Sequence, residues 1–372
     1  MDHIIHLREQ LHRHPELGNH EVETSRIVEQ ALRSFGLETE RILDTAIVAT
    51  LRGGQPGKTV ALRADMDALP LTENTGYAFS SQNEGVMHAC GHDVHMAAAL
   101  GAAKLLSQKR DQLHGTVKFF FQPDEEGDGG AQRMVDAGCM DGVDAVFGAH
   151  VDPKLPAGVI GIRYGKFYAA ADVFDITVHG KSAHGAMPEK GIDALYAASQ
   201  LICRLHALHS EYPDERYVLT VGTMQAGTAR NILSDHAAFS GILRTLGPEM
   251  RSAMKQRICE VAAQVEAETG TNIEVTLRPS YPGVVNHNEM SAFVLDVAKG
   301  RFGAGSVQIL PDPTMTTEDF GYFLDKAQGC FYHIGVGGQY PLHHPCFLPD
   351  DHAVLTAASL HAAVLESYLL QA

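Results

Sequence analysis

The hydrophobic and polar positions change period several times along the chain, and each change marks an element. Met1–Phe35 reads as helix, broken at His14-Pro15 and resumed near Glu21–Thr24. Short apolar runs at Ile47–Arg52 and Thr59–Arg63 flank a Gly-Gly-Gln-Pro-Gly-Lys stretch and predict a hairpin or a strand–turn–strand unit. Alanine-rich Met96–Leu106 predicts a helix. Thr116–Gln122 predicts a strand covered on both faces, and Val143–His150 another. From Asp172 the rhythm changes. Val173–Val178 alternates like a half-exposed strand and Gly191–His209 reads as helix. Arg216–Met224 and His236–Arg244 read as strands, Glu249–Thr269 as a long helix and Asn272–Leu277 as a strand.

That βαββαβ order is the ferredoxin-like pattern, and at about 110 residues it is long enough for a separate inserted domain. Ser280-Tyr281-Pro282-Gly283 supplies turn residues at its end. Afterwards α/β sequence returns, with helix over Glu289–Phe302, strand over Gly329–Gly335 and helix over Ala353–Leu370. The expected architecture is α/β. One domain, residues 1–172 and 284–372, has a central mixed sheet flanked by helices, and residues 173–283 form the inserted ferredoxin-like domain.

Composition narrows the function. The 372 residues carry 29 Lys and Arg against 45 Asp and Glu, a net charge of −16, with no basic run. Such a surface repels phosphate backbones, so no nucleic-acid partner is expected. The amphipathic, charged N-terminus has neither a signal-peptide apolar region nor a membrane span, so no membrane partner is expected either. Six scattered cysteines do not make a disulfide framework; a reducing, cytoplasmic home is the expectation.

The chemistry concentrates in Gly85–His95, where GVMHACGHDVH brings three histidines, a cysteine and an aspartate together. Cys90 and His92 suit a metal ion, since thiolate and imidazole favour zinc and imidazole also accepts nickel or cobalt. The small residues Ala89 and Gly91 between them allow an irregular loop to approach an ion closely. Other candidates sit at predicted strand ends, where open α/β sheets place their sites. Asp67 could orient a ligand histidine. Glu125 and Glu126 could divide proton exchange and metal binding between them. His150 ends the next strand.

MHACGHD, FQPDEEG, GAH, SAHGAMP, GTARNIL, MTTEDFGYFL and LHHP occur in an order that spans nearly the whole chain. The ordered set resembles the amidohydrolase branch of the aminoacylase/carboxypeptidase metallopeptidase family, which includes hippurate, auxin-conjugate and N-acyl-amino-acid hydrolases and N-acetyldiaminopimelate deacetylases. The resemblance implies a catalytic α/β domain interrupted by a lid, with two divalent metal ions (manganese, zinc, nickel or cobalt) close together. It implies Cys90, His92, Glu126, His150 and His343 as metal ligands, His344 being the alternative for the last. Glu125 matches the general base and His184 a lid histidine that steadies the oxyanion. Asn231 and Arg244 match polar positions near bound substrate. Leu233-Ser234 departs from the Ile-Pro pair common in relatives.

The implied reaction is hydrolysis of an N-acyl amino acid by a metal-activated water, with N-acetyldiaminopimelate as the leading specific alternative. A homodimer through the lid is a further expectation. Two rivals remain on residues alone. Cys90 as nucleophile with a histidine base leaves the adjacent glutamates unexplained. A non-catalytic metal-binding protein would have no use for Glu125.

Overall fold

The computed structural model describes residues 2–370, which separate into two compact units: residues 2–165 with Val285–Asp312 and residues 319–370, and Lys166–Val284 with Pro313–Glu318. The first unit is built on one eight-stranded mixed sheet. In spatial order its strands are Glu38–Arg41, Ile47–Arg52, His114–Gln122, Gln55–Asp65, Ala145–Asp152, Gln328–Gly335, Ile160–Ile162 and Val307–Ile309. The central four run parallel to one another. Their side chains are buried on both faces: Val60, Leu62, Phe119, Phe120, Phe121 and Phe147 are almost fully covered. This is why these strands read as apolar runs rather than alternating patterns.

The hairpin expectation is corrected. Ile47–Arg52 and Gln55–Asp65 do not pair with each other, because His114–Gln122 lies between them, antiparallel to the first and parallel to the second. The glycine-rich turn serves the incoming strand instead. Gly53 N–H donates to the Gly115 carbonyl at 2.8 Å, and a Cβ on Gly53 would fall 2.3 Å from the Leu113 carbonyl oxygen.

Helices cover the sheet. The His14-Pro15 break separates Asp2–Arg13 from Val22–Ser34. His92–Ser107 and Asp351–Leu370 pack on each other and on Gln55–Asp65, where a Cβ on Gly101 would come within 2.6 Å of the Ala358 Cβ. Asp351–Leu370 is apolar enough to cross a membrane by length and composition, but two thirds of it is buried inside the protein.

The second unit holds a four-stranded antiparallel sheet in the order Tyr217–Ala226, His236–Thr245, Ala170–His179, Asn272–Pro279. Helices Ala194–Ala207 and Pro248–Thr269 complete a βαββαβ sequence of elements. Phe174, Ile176 and Val178, alternate residues of one strand, share a core with Leu201, Leu205, Met254 and Ile258 from the two helices. Asp193 caps the first helix by accepting the Tyr196 N–H at 3.0 Å. The six-residue segment Pro313–Glu318 joins this unit although it lies far along the chain.

Candidate metal centre

Because the central strands are parallel, their C-terminal ends lie along one edge of the sheet, and the loops leaving them carry the polar residues. Gln55–Asp65 delivers Asp65 and Asp67, His114–Gln122 delivers Glu125 and Glu126, and Ala145–Asp152 contains His150. Cys90 precedes the helix His92–Ser107, whose first residue is His92. Gly91 makes the junction. Its φ is +86°, and a Cβ there would sit 2.5 Å from Val151 Cγ2, so only glycine fits.

The side chains converge on Cys90. His150 Nε2 and His343 Nε2 each lie 3.3 Å from Cys90 Sγ, and His343 Nε2 is 3.1 Å from Glu126 Oε1. Cys90, His92 and His150 bring ligand atoms within 4.8 Å of one another, as do Cys90, Glu126 and His343, and His92, Glu125 and Glu126. These six residues therefore form overlapping clusters. His344 is placed elsewhere: its ring stacks on Tyr340 with centroids 4.5 Å apart, and its Nδ1 accepts the Cys346 N–H at 3.0 Å.

Hydrogen bonds around the cluster select histidine tautomers. His92 Nδ1 donates to the Asp67 carbonyl at 2.8 Å, and His150 Nδ1 donates to the Val151 carbonyl at 2.8 Å. When neutral, both imidazoles therefore have Nε2 as the lone-pair nitrogen, the arrangement a metal-binding histidine needs. Asp67 also anchors the carboxylate loop, because its Oδ2 accepts the Glu126 N–H at 3.0 Å. His95 is different. It accepts the Val151 N–H on Nε2 at 2.9 Å and donates from Nδ1 to Asp65 at 2.6 Å, so neither nitrogen is left for a ligand.

The electrostatics fit a cation. Buried His92 Nε2 has no hydrogen-bond partner among the described residues, and Glu126 Oε1 has none beyond the approach of His343. Burial, reinforced by Glu126 and Glu125, pushes the Cys90 thiol well above its ordinary range, so it needs a nearby positive charge to ionise. Burial opposes charge on His92, yet Asp65, Asp67 and Glu126 together raise it to about 10. A proton is held where the surroundings favour positive charge. Burial depresses His150 far enough to keep it neutral.

Beneath the cluster runs a buried polar network that the sequence did not single out. Arg63 donates to Asp65 at 2.7 Å, Gln122 at 2.8 Å and Asp319 at 2.8 Å, and Gln122 donates to Asp319 at 2.7 Å. Next to His92 in sequence, buried Asp93 accepts from Arg8 at 3.0 Å and pairs with His12 at 2.9 Å. Polar residues inside apolar strands, such as Arg63 and Asp65, are the signal that could have revealed the first network.

His184, Asn231 and Arg244 belong to the second unit. His184 pairs with Ile232 in a short antiparallel ladder, and Gly185 N–H donates to the Asn231 carbonyl at 2.8 Å, so His184 and Asn231 share one exposed loop pair. The nearby Ser234 hydroxyl accepts the Gly227 N–H at 3.1 Å and donates to the His236 carbonyl at 2.7 Å, which stabilises this turn without proline. Arg244 donates to the Met315 carbonyl at 2.9 Å, and no carboxylate pairs with it among the described residues.

A family model described as peptidase family M20/M25/M40 matches residues 61–367. An N-acyl-L-amino acid amidohydrolase of Geobacillus stearothermophilus is 44% identical over 290 residues, 77% of this chain and 78% of that protein. An N-acetyldiaminopimelate deacetylase of Priestia megaterium is 36% identical over 363 residues, 96% of each chain. A Bacillus subtilis crystal structure, described as a dinuclear metal binding peptidase from the M20 family, matches with a TM-score of 0.88 and 35% identity. That match covers 100% of this chain and 99% of the other.

Proposed function

The chain belongs to peptidase family M20/M25/M40, and from that premise we propose that it hydrolyses the amide bond of N-acyl amino acids at a two-metal centre. The observation that carries this is the set of overlapping clusters in which Cys90, His92, Glu126, His150 and His343 offer ligand atoms, with Glu125 in one of them. Manganese, zinc, nickel and cobalt all suit such a donor set. When bound, the ions would polarise the substrate carbonyl and lower the pKa of an attacking water.

The chain's own residues supply the rest. Glu125, buried next to Glu126, takes the proton of the attacking water and returns it to the departing amine. His92 and His150 keep their Nε2 atoms available through the bonds that occupy Nδ1. His184 steadies the developing oxyanion and Asn231 contacts bound substrate. Arg244, whose guanidinium donates to the Met315 carbonyl and meets no carboxylate among the described residues, holds the substrate carboxylate. The antiparallel order of the second unit's sheet supports reading it as a ferredoxin-like lid. Exposed Leu195, Tyr196 and Met224 support self-association through that unit. Six unpaired cysteines favour a reducing, cytoplasmic setting.

The decisive experiment follows release of free amine from N-acetyl, N-benzoyl and longer N-acyl amino acids and from N-acetyldiaminopimelate, first with chelated protein and then after manganese or zinc is restored. Metal-restored turnover supports the proposal, and the best substrate identifies the acyl pocket. A best rate on N-acetyldiaminopimelate would select the alternative suggested by the Priestia relative. Failure on every member, with two ions bound per chain, would refute the substrate class.

A further inference from the structure

Among the described residues only three non-glycine positions have a left-handed backbone: Asn19 at φ 65°, Asp124 at φ 57° and His343 at φ 62°. His343 lies in the metal cluster. The other two are bonded to each other, far apart in sequence. Asn19 Nδ2 donates to Asp124 Oδ2 at 2.7 Å, and Arg133 closes the triangle by donating to Asn19 Oδ1 at 2.6 Å and to Asp124 Oδ2 at 3.2 Å.

Asp124 is held at its backbone as well. Its N–H donates to Glu21 Oε1 at 2.9 Å, and its carbonyl accepts from Gly129 and Gly130 at 3.2 and 3.0 Å. Glu21 is fully buried, with its other oxygen accepting the Thr45 hydroxyl at 2.8 Å. The fit is tight enough that a Cβ on Gly18 or Gly127 would fall 2.1 or 2.3 Å from Asp124 Oδ1. A left-handed backbone is disfavoured for non-glycine residues, least for Asn and Asp, and persists where its surroundings over-determine it.

The next residue is Glu125, and the one after it is anchored by the bond from Glu126 N–H to Asp67. Glu125 thus hangs between two fixed peptides. Release of Asp124 to the right-handed region would turn φ by roughly 120° and swing the following carboxylate away. We infer that Asn19, Glu21 and Arg133 are positioning residues for Glu125, acting through the left-handed turn at Asp124. The inference rests on reading Glu125 as the general base. It assigns the loop between the first two helices, which contributes no ligand, a direct part in the geometry of proton transfer.

The test uses full-length, metal-loaded protein and an N-acyl amino acid that the wild type cleaves. Asn19→Gly and Asp124→Gly keep the left-handed backbone accessible and remove the side-chain links; Asn19 is exposed, so its variant should fold normally. Both should lower kcat about 10- to 100-fold with KM, bound metal and melting temperature little changed. The acid limb of the kcat–pH profile, which reports the base in the complex, should move. Asp124→Asn, which retains an acceptor oxygen and tolerates the same backbone, should recover most of the rate. Wild-type kcat and pH profile in both glycine variants would overturn the positioning role, as would activity lost only in proportion to metal or folded protein. Glu125→Gln run alongside separates the two failures. If Glu125→Gln is inactive while the glycine variants are normal, the positioning role alone falls. If Glu125→Gln is fully active, the base assignment falls and takes the positioning role with it.

Discussion

His92 and His150, which share a cluster with Cys90, are bound in the same way: each gives its Nδ1–H to a main-chain carbonyl 2.8 Å away and leaves Nε2 for the cluster. Main-chain carbonyls cannot rotate away or titrate, so the tautomer of both rings is set by the path of the backbone. Asp67 joins this to the carboxylate loop, since one residue receives His92 on its carbonyl and Glu126 N–H on its side chain.

Removing divalent ions should therefore act on stability as well as on turnover. The buried His92 Nε2 and Glu126 Oε1 lose the partner that their positions fit. A ligand present at 100 times its Kd contributes about 2.7 kcal/mol to the folded state. Chelated protein should be inactive and melt several degrees lower, and both effects should reverse on adding zinc or manganese. Calorimetry with and without chelator checks this; an unchanged melting temperature would count against a buried metal site.

The two histidines of the LHHP stretch should behave differently. His343 points at Cys90 and Glu126, whereas His344 stacks on Tyr340. His343→Ala should lose bound metal and nearly all activity. His344→Ala should keep its metal, with a stability cost of about 0.5–1.5 kcal/mol for the lost ring pair. Metal content per chain, measured on both purified variants, separates them.

Arg244 should matter to substrate affinity more than to the chemical step. Its pKa is lowered by burial, with no acidic partner among the described residues to offset it. Arg244→Lys and Arg244→Ala should raise KM for N-acyl amino acids with a smaller change in kcat, and the change should shrink for substrates whose carboxylate is amidated. Equal loss on the amidated substrate would refute a carboxylate contact.

Alkaline stability should depend on His12. Burial opposes its charge, but Asp93 and Glu73 overcome this and raise it from 6.5 to about 9. The folded state then binds a proton that the unfolded chain releases above pH 6.5. The contribution, on the order of 3 kcal/mol, is complete below pH 6.5 and fades as pH rises through 9. Urea titrations of wild type and His12→Gln should converge as pH is raised from 6 to 10. Parallel curves across that range would show that His12 is neutral in the fold.

Much of the architecture was legible along the chain because it is local. The apolar runs Ile47–Arg52 and Thr116–Gln122, the alternation of Val173–Val178 and the Pro15 break each reflect the period of one element and the face it buries. The presence of thiol, imidazole and adjacent carboxylates at strand ends was equally visible, since residue types and spacing suffice to suggest metal chemistry. Tertiary structure decided what pairs across distance. It inserted His114–Gln122 between two strands that look like a hairpin, and it sent one of two adjacent histidines to Cys90 by placing His343 at φ 62°. It also bonded Asn19 to Asp124 across 105 positions and Asp93 to Arg8 across 85. No local periodicity encodes such contacts, because each depends on the order of strands in the sheet, and that order is settled by burial over the whole core.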